Sequence, residues 1–172
     1  MIQSRVVMGL AAVLLAACSS SGKDVSKLES SLGQTQLSLR EVVSRTESRE
    51  NLVSTRAKLV AAAKPSFVVY LRADTFLREV RVDAAGEVFH VANTASGPAP
   101  ACSGPTTSQD ALGIAESVSG GRAIQIEADD DDPCLYEVQA LAGATVWEVK
   151  IDRNGTILEK EDVTNETDED ED

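Results

Sequence analysis

Aromatic side chains and histidine are scarce in this sequence, and both shortages limit the chemistry available to the chain. Phe, Trp and Tyr make up 3% of the 172 residues, and His90 is the single histidine. One histidine at strand spacing, without a second imidazole or a nearby free thiol, builds neither a zinc site nor a nucleophile and base pair. Carboxylates are abundant, but most lie in solvated runs, and a general acid or base needs a desolvated one. We therefore predict that the chain is not an enzyme, has no catalytic residues and carries no cofactor.

Positively charged residues are also few. The sequence has 16 Lys and Arg against 28 Asp and Glu, which gives a formal net charge of -12. A surface that binds nucleic acid needs clustered Lys and Arg to neutralise phosphates, and no stretch of the sequence supplies such a cluster. The composition therefore argues against a nucleic-acid partner and disfavours docking of a basic patch on anionic lipid headgroups.

The N-terminus has the form of a secretory signal peptide. Residues 1–5 carry the positive charge, and residues 6–17 are an apolar run too short to span a bilayer as a lasting helix. The ending Leu-Ala-Ala-Cys at residues 15–18 resembles the bacterial lipobox, in which the cysteine is lipidated. An ordinary signal peptide with an incidental Cys18 is the alternative.

The lipobox resemblance implies an address for the protein. Residues 1–17 would be removed, and Cys18 would carry the lipid that anchors the chain to a membrane. Ser19 and Ser20 follow the cysteine where an aspartate would favour retention in the inner membrane. We therefore expect a lipoprotein of the bacterial cell envelope, held in the outer membrane and facing the periplasm.

Two segments of the chain are similar at a constant offset of 69 residues. Residues 79–88 and 148–157 share Glu, Val, Asp and Gly at matching positions and pair Arg with Lys and Val with Ile. Each segment is typical of a strand, a turn with Asp first and Gly last, and a returning strand. The similarity predicts a repeated structural unit.

The first copy of the unit begins with a helix. Ser38-Leu39-Arg40-Glu41 has the form of a capping box, and Pro65 ends the helical pattern, which extends through Ala61 with a break near residues 47–50. The strands predicted after this helix are 67–71, 76–82 and 87–91.

The second copy has the same order. A helix over residues 107–118 is stopped by Gly120 and Gly121. The strands predicted after it are 122–127, 135–141, 145–151 and 156–160. Within the third of these, Trp147, Val149 and Ile151 are expected to face the core.

These elements predict an α+β fold made of tandem helix-plus-antiparallel-sheet lobes. The predicted boundaries are a tether at 18–35, a first lobe at 36–92, a linker at 93–106, a second lobe at 107–160 and a disordered acidic tail at 161–172.

The second lobe resembles a PepSY domain. The resemblance is carried by Ala111 and Ala115 in the helix, by Gly-Gly leading into a strand, by Tyr-Glu-Val at 136–138 and by the closing motif at 148–157. The first lobe is similar to a degenerate copy of the same domain. It departs from the pattern at Tyr70-Leu71-Arg72 and at Arg78, where the second lobe has Trp147.

PepSY domains occur in propeptides of thermolysin-like metalloproteases, in envelope proteins and in membrane sensors. Their fold resembles half of the beta-lactamase inhibitor protein, which binds an enzyme across a concave sheet, and the family brings no catalytic residues. The resemblance therefore implies an envelope lipoprotein that binds protein partners, with inhibition or regulation of a secreted or periplasmic peptidase as one form of that binding. We place the binding face at Tyr136, Gln139 and Glu148.

The two remaining cysteines are predicted to pair. With Cys18 lipidated, Cys102 and Cys134 are left in an oxidising compartment, where a disulfide between them is the natural outcome. Two separate buried thiols are the alternative.

An acidic run invites a calcium site. Asp129, Asp130, Asp131 and Asp132 supply the oxygen ligands that hard cations prefer. Consecutive residues cannot all point inward, however, and the spacing and glycine of an EF-hand loop are missing, so we favour a solvated turn and no metal site. The alternative function is a cation-responsive or structural envelope lipoprotein that uses this loop and the acidic tail.

Overall fold

The computed structural model describes residues 22–96, 104–129, 132 and 134–166. These residues form three helices and eight strands. The helices are α1 (Val25–Gln34), α2 (Leu39–Glu50) and α3 (Ser108–Ser119). The strands are β1 (Val53–Val60), β2 (Ser66–Arg72), β3 (Phe76–Asp83), β4 (Val88–Ala95), β5 (Arg122–Ala128), β6 (Tyr136–Ala142), β7 (Thr145–Ile151) and β8 (Ile157–Asp162).

The described strands form one antiparallel sheet in the order β4-β3-β2-β1-β5-β6-β7-β8. Each half of the sheet is one lobe, because α2 precedes β1 to β4 and α3 precedes β5 to β8. The lobes join where β1 pairs with β5. The predicted α+β fold of tandem helix-plus-antiparallel-sheet lobes is therefore confirmed.

The 69-residue offset extends to the ends of the two lobe helices. Ser38 and Thr107 begin α2 and α3, and each forms a capping box with the acidic residue three positions later. The residues that follow the two helices, Asn51 and Gly120, have left-handed φ angles of 54° and 69°. Because cap and stop residues are equivalent, the repeat includes the whole helix in each lobe.

The turns that follow β3 and β7 are the same structure. The Asp83 carboxylate accepts backbone N–H bonds from Ala85 and Glu87, both at 2.9 Å. The Asp152 carboxylate accepts the equivalent two bonds at 2.8 and 2.7 Å, which lower the pKa of that carboxyl. Gly86 and Gly155 complete the turns with φ angles of 95° and 80°, a conformation that favours glycine. The predicted turn chemistry is confirmed in both copies.

The junction between the lobes has local two-fold symmetry. Ala57 lies opposite Ile126, which is its own counterpart at the 69-residue offset. Arg56 lies opposite Glu127, and Lys58 lies opposite Gln125, so each flanking pair exchanges equivalent positions. The chain is thus built like a symmetric dimer of one unit, with the axis passing between Ala57 and Ile126.

The core lies between the sheet and the two lobe helices. Helix α2 contacts β1, β2 and β5, and α3 contacts β5, β6 and β7. The apolar side chains buried between the helices and the sheet give the main stabilising contribution, about 25 cal/mol for each Å² of apolar surface removed from water. The buried residues on the facing surfaces include Leu39, Val42, Val43, Ala111, Leu112 and Ala115 from the helices, and Ala57, Val69, Val80, Ile126, Val138 and Val149 from the strands.

Glu47, on α2, links the two lobes through polar contacts. Its Oε1 accepts bonds from the Ser54 N–H at 2.9 Å and lies 2.7 Å from Ser54 Oγ. The same oxygen lies 2.9 Å from Ser108 Oγ of α3, while Oε2 accepts from Gln109 Nε2 at 2.8 Å. Ser54 and Ser108 are both buried. One carboxylate therefore satisfies buried donors from both lobes.

The prediction of a helix reaching Ala61 was wrong. Helix α2 ends at Glu50, the left-handed Asn51 turns the chain, and residues 53–60 form strand β1. The apolar spacing of Val53, Ala57 and Val60 also fits a helical face, which is why the pattern misled. Pairing with β2 on one side and β5 on the other decides the conformation in favour of the strand.

Three predicted boundaries differ from the structure. The segment assigned to the tether contains α1, which is capped by Asp24 and buries Leu32 in the core. Strand β4 continues to Ala95, inside the predicted linker. Beyond the predicted start of the tail, Val163 is buried and donates its N–H to the Val146 carbonyl at 2.9 Å. In all three places, packing extends the ordered chain further than composition indicates.

The rest of the predicted signal peptide, linker and tail, at residues 1–17, 97–103 and 167–172, lies outside the described residues. No helix in the described part of the chain is both long and apolar enough to cross a membrane.

Candidate functional site on the open face of the sheet

The sheet surface opposite α2 and α3, called the open face below, carries mostly polar and charged side chains. Strand register aligns them in two rows that run across the lobes. The first row is Glu79, Tyr70, Arg56, Glu127, Glu137, Lys150 and Glu159. The second row is His90, Arg81, Val68, Lys58, Gln125, Gln139, Glu148 and Glu161.

The two halves of the open face have opposite charge. Three cationic residues dominate the half that belongs to the first lobe: Arg56, Lys58 and Arg81. Five carboxylates dominate the other half: Glu127, Glu137, Glu148, Glu159 and Glu161. The sequence as a whole has the same asymmetry of charge. Residues 36–96 hold nine Lys and Arg against seven Asp and Glu, whereas residues 97–172 hold four Lys and Arg against nineteen Asp and Glu. The face is therefore a bipolar surface.

Ion pairs join neighbouring residues of the first row from Arg56 to Glu159. Arg56 Nε lies 3.4 Å from Glu127 Oε2, across the junction of the lobes. Lys150 Nζ lies 3.3 Å from Glu137 Oε1 and 3.5 Å from Glu159 Oε2. The hydrogen bond to Glu137 raises the pKa of the Lys150 ammonium. Since these pairs are partly exposed, they stabilise the fold little and chiefly hold the side chains in place.

Gln139 and Glu148, which the sequence placed on a binding face, lie side by side on the open face. Gln139 Nε2 donates to Glu148 Oε2 at 3.1 Å. Burial raises the pKa of the Glu148 carboxyl, and the negative charges of Glu137 and Glu161 add to this, while the bond from Gln139 opposes it. Burial is thus the main cause of the raised Glu148 pKa, and the part of this carboxyl in binding stays a prediction.

Replacing Glu148 with glutamine should stabilise the protein at pH 7 but not at pH 4. The pKa of Glu148 is raised in the folded protein above its value near 4.5 in the unfolded chain, so ionisation of this carboxyl lowers the free energy of unfolding once the pH exceeds about 4.5. Glutamine cannot ionise, and the loss of stability is therefore absent in the variant. We expect a gain on the order of 0.5 kcal/mol at pH 7, typical of a partly exposed site. Urea unfolding of both proteins at the two pH values measures it, and an equal or larger gain at pH 4 would contradict the assignment.

Tyr136 does not belong to the open face, so that prediction was wrong. It is 6% exposed and lies on the helix side of β6. Burial raises the pKa of its hydroxyl, with smaller contributions from the negative charges of Glu47 and Asp110. Residues three apart on a strand point to opposite sides of the sheet, so Tyr136 and Gln139 cannot share a face.

Trp147 is half-exposed rather than part of the core, whereas Val149 and Ile151 are buried as predicted. The Lys160 ammonium lies 4.2 Å from the centre of the Trp147 ring and donates to the Val118 carbonyl at 2.9 Å. The cation and ring attract each other, and Lys160 links Trp147 to the end of α3.

The cysteine predictions rest largely on residues outside the described part of the chain. Cys134 is disulfide-bonded. Cys102 and Cys18 lie outside the described residues, so the Cys102–Cys134 pairing and the lipidation of Cys18 stay predictions.

The acidic loop is held by its own backbone where it is described. Asp129 Oδ1 accepts the Asp132 N–H at 2.9 Å, and Asp132 Oδ1 accepts the Cys134 N–H at 3.0 Å. Asp130 and Asp131 lie outside the described residues. Among the residues that are described, no group of three His, Cys, Asp or Glu side chains could hold a metal ion.

The sequence prediction missed the basic half of the open face. Arg56 and Lys58 lie on β1, for which the apolar spacing predicts a helix, and a helix gives these residues no register with the other strands. The 69-residue offset was the available signal, because it aligns residues 53–58 with the predicted strand at 122–127.

Comparison with known proteins gives one similar structure. No family model matches the sequence, so the PepSY resemblance stays a prediction. No curated protein matches it either. A crystal structure named as a "putative lipoprotein" from Clostridium difficile 630 is 15% identical, with a TM-score of 0.46, over 74% of this chain and 94% of that chain.

Proposed function

We propose that this protein is a non-catalytic lipoprotein of the bacterial cell envelope that binds a protein partner through the open face. The observation that carries the proposal is the bipolar pair of rows across the described strands, which α2 and α3 leave uncovered. The lipid on Cys18 would hold the chain at the membrane, and the sheet would present the rows to the periplasm.

The open face suits a protein partner better than a small molecule. Its polar and charged side chains are half-exposed or exposed and are spread over the width of the sheet. Three of them, Lys58, Gln125 and Gln139, also line a cleft together with Lys27 and Leu28 of α1. Opposite charges on the two halves fix the orientation of a partner and speed its approach, since complementary potentials steer encounter. A secreted or periplasmic peptidase is the partner class that we propose, from the resemblance of the second lobe to PepSY domains.

Site-specific photo-cross-linking tests this proposal. A photoreactive residue at Gln139, on the open face, should capture a defined envelope protein from cell-envelope extract. The same residue at Ser117, which is exposed on α3, should not capture it. The chain from Ser19 to Asp172 serves as bait because it contains every described element. Equal capture at both positions, or capture that requires the acidic residues 167–172, would contradict binding through the open face.

Reversing charge on the basic half should weaken binding of the captured partner. With Lys58→Glu and Arg81→Glu together, we expect the dissociation constant to rise at least about tenfold, because the partner's acidic groups would then face carboxylates. Ser117→Glu adds a negative charge on the helix side of the sheet and should leave the dissociation constant unchanged. Titration calorimetry at two salt concentrations measures the dissociation constants of the natural sequence and of both variants. Identical affinity of all three proteins would refute the proposed orientation.

A further inference from the structure

The two outermost described strands are equivalent in the repeat but differ in chemistry. Strands β4 and β8 occupy opposite ends of the sheet, and each begins with two apolar residues. After them, β8 continues Glu159-Lys160-Glu161-Asp162, whereas the matching residues of β4 are His90-Val91-Ala92-Asn93. The first lobe therefore has none of the formal charges that the second lobe places on its outer strand.

The presence of charged side chains on β8 and their absence on β4 favour the β4 end of the sheet as the one that accepts another strand. An outer strand presents unpaired backbone N–H and C=O groups, and proteins commonly protect such strands with charged side chains. Strand β8 has that protection. Both strands expose apolar side chains: Phe89 and Val91 of β4 to 60% and 47%, and Ile157 and Leu158 of β8 to 40% and 58%. Strand β4, however, has no charged residue beside them. Apolar, uncharged side chains beside unpaired backbone groups favour strand addition at β4.

We propose that β4 is the docking site for a second copy of this chain, with two β4 strands pairing antiparallel about a two-fold axis. The sheet would then continue through both copies, with both open faces on the same side. The inference goes beyond the proposed function and does not depend on it, since it concerns the edge of the sheet.

The sequence of β4 is compatible with itself in this arrangement. If Val91 lies opposite Val91, then His90 lies opposite Ala92 and Phe89 lies opposite Asn93. No formally charged pair of like sign meets, and the valines add an apolar contact.

Strand β8 is not compatible with itself. In the equivalent register Lys160 would lie opposite Lys160, and Glu159 would lie opposite Glu161. Like charges directly opposite each other destabilise strand pairs, so self-pairing at β8 is opposed where self-pairing at β4 is not.

The charge distribution also favours a second copy at β4. The lobe that contains β4 is close to neutral, whereas the strong negative charge lies in the second lobe and beyond. Pairing at β4 places the two acidic lobes at opposite ends of the joined sheet. Strands are spaced by about 4.8 Å, so the centre of each acidic lobe lies several strand widths, over 20 Å, from the joint. That separation exceeds the Debye length of about 8 Å at physiological salt, and repulsion is screened.

The chain already contains an assembly of this kind. Its lobes are equivalent units, and β1 pairs with β5 about a local two-fold axis with α2 and α3 on one side of the sheet. Pairing of β4 with β4 would repeat the same operation between chains, at the other edge of the same unit.

Sedimentation equilibrium of the chain from Ser19 to Asp172 tests the proposal. We expect a concentration-dependent dimer for the natural sequence, and at least a tenfold rise in the dissociation constant for Val91→Lys. The control is Leu158→Lys, an apolar-to-lysine change on β8 at a side chain that is 58% exposed. That variant should dimerise like the natural sequence, and circular dichroism should show that both variants keep their fold.

Cross-linking then places the interface. With a thiol-specific linker, a Val91→Cys variant should form a covalent dimer, and a Leu158→Cys variant should not. A natural sequence that stays monomeric at every concentration would overturn the proposal. A dimer that Val91→Lys leaves intact, or that is cross-linked through residue 158, would also overturn it, because the contact would then lie elsewhere.

Discussion

Replacing Gly121 with alanine is expected to lower the free energy of unfolding by about 3 kcal/mol, the upper end of the range for overpacked sites. A Cβ atom at this position would lie 2.3 Å from the Leu141 carbonyl oxygen and 2.9 Å from the Ala142 nitrogen. Both are backbone atoms of β6, which is paired with β5 and β7 on its two sides. Neither atom can move away without displacing a strand. Urea unfolding followed by circular dichroism measures the loss.

The neighbouring glycine is the control for this prediction. Gly120 ends α3 in the left-handed conformation, with φ at 69°, and a Cβ atom there would meet nothing within 4 Å. Gly120→Ala should therefore cost about 1 kcal/mol of left-handed strain and no more. If the two variants lost equal stability, the close approach of Gly121 to β6 would not be the cause.

The glycine pair shows what local sequence can and cannot reveal. Gly-Gly after an amphipathic helix predicts the helix stop, and Gly120 performs that role. The role of Gly121 depends on β6, about 20 residues further along the chain, and no local pattern encodes that distance. Short-range features were therefore predictable: the capping box at Ser38, both Asp-Gly turns and the strands on either side of them.

Features that depend on contact between distant segments were not predictable in the same way. Strand β1 was hidden because its apolar spacing also fits a helix, and its partner β5 lies some 70 residues away. The three residues predicted for the binding face do not all lie on one face of the sheet, for a simpler reason. Gln139 and Glu148 are cross-strand neighbours, but Tyr136 fails the two-residue alternation of a strand and is buried instead.

Internal repetition is the signal that joins these local features into a fold. The 69-residue offset relates the caps Ser38 and Thr107, and it also places Ala57 opposite Ile126 at the centre of the sheet. Applied along the whole lobe, it would have assigned β1 from the predicted strand of the second lobe. The offset could not have shown how the lobes differ. Those differences give the open face two halves of opposite charge and leave β4 without the charged residues that β8 has.

The contacts of Glu47 with α3 are one such difference between the lobes, and Glu47→Ala should lower the free energy of unfolding by about 3 kcal/mol. The change removes an acceptor shared by the Ser54 amide, the hydroxyls of Ser54 and Ser108, and the Gln109 amide. Each buried donor left without a partner costs about 1 to 3 kcal/mol, although the two hydroxyls, 2.9 Å apart, can still bond to each other. Urea unfolding measures the loss.

The repeat supplies the matched control for Glu47. Its counterpart Glu116 accepts the Ala123 N–H at 3.1 Å, which is the equivalent of the Ser54 contact alone. Glu116→Ala should therefore cost about 1 kcal/mol, the usual value of one hydrogen bond. The excess for Glu47→Ala measures the contacts with α3 that join the lobes. An equal loss in the two variants would mean that the lobes are held together by the β1–β5 pairing and the apolar core, with no net contribution from this carboxylate.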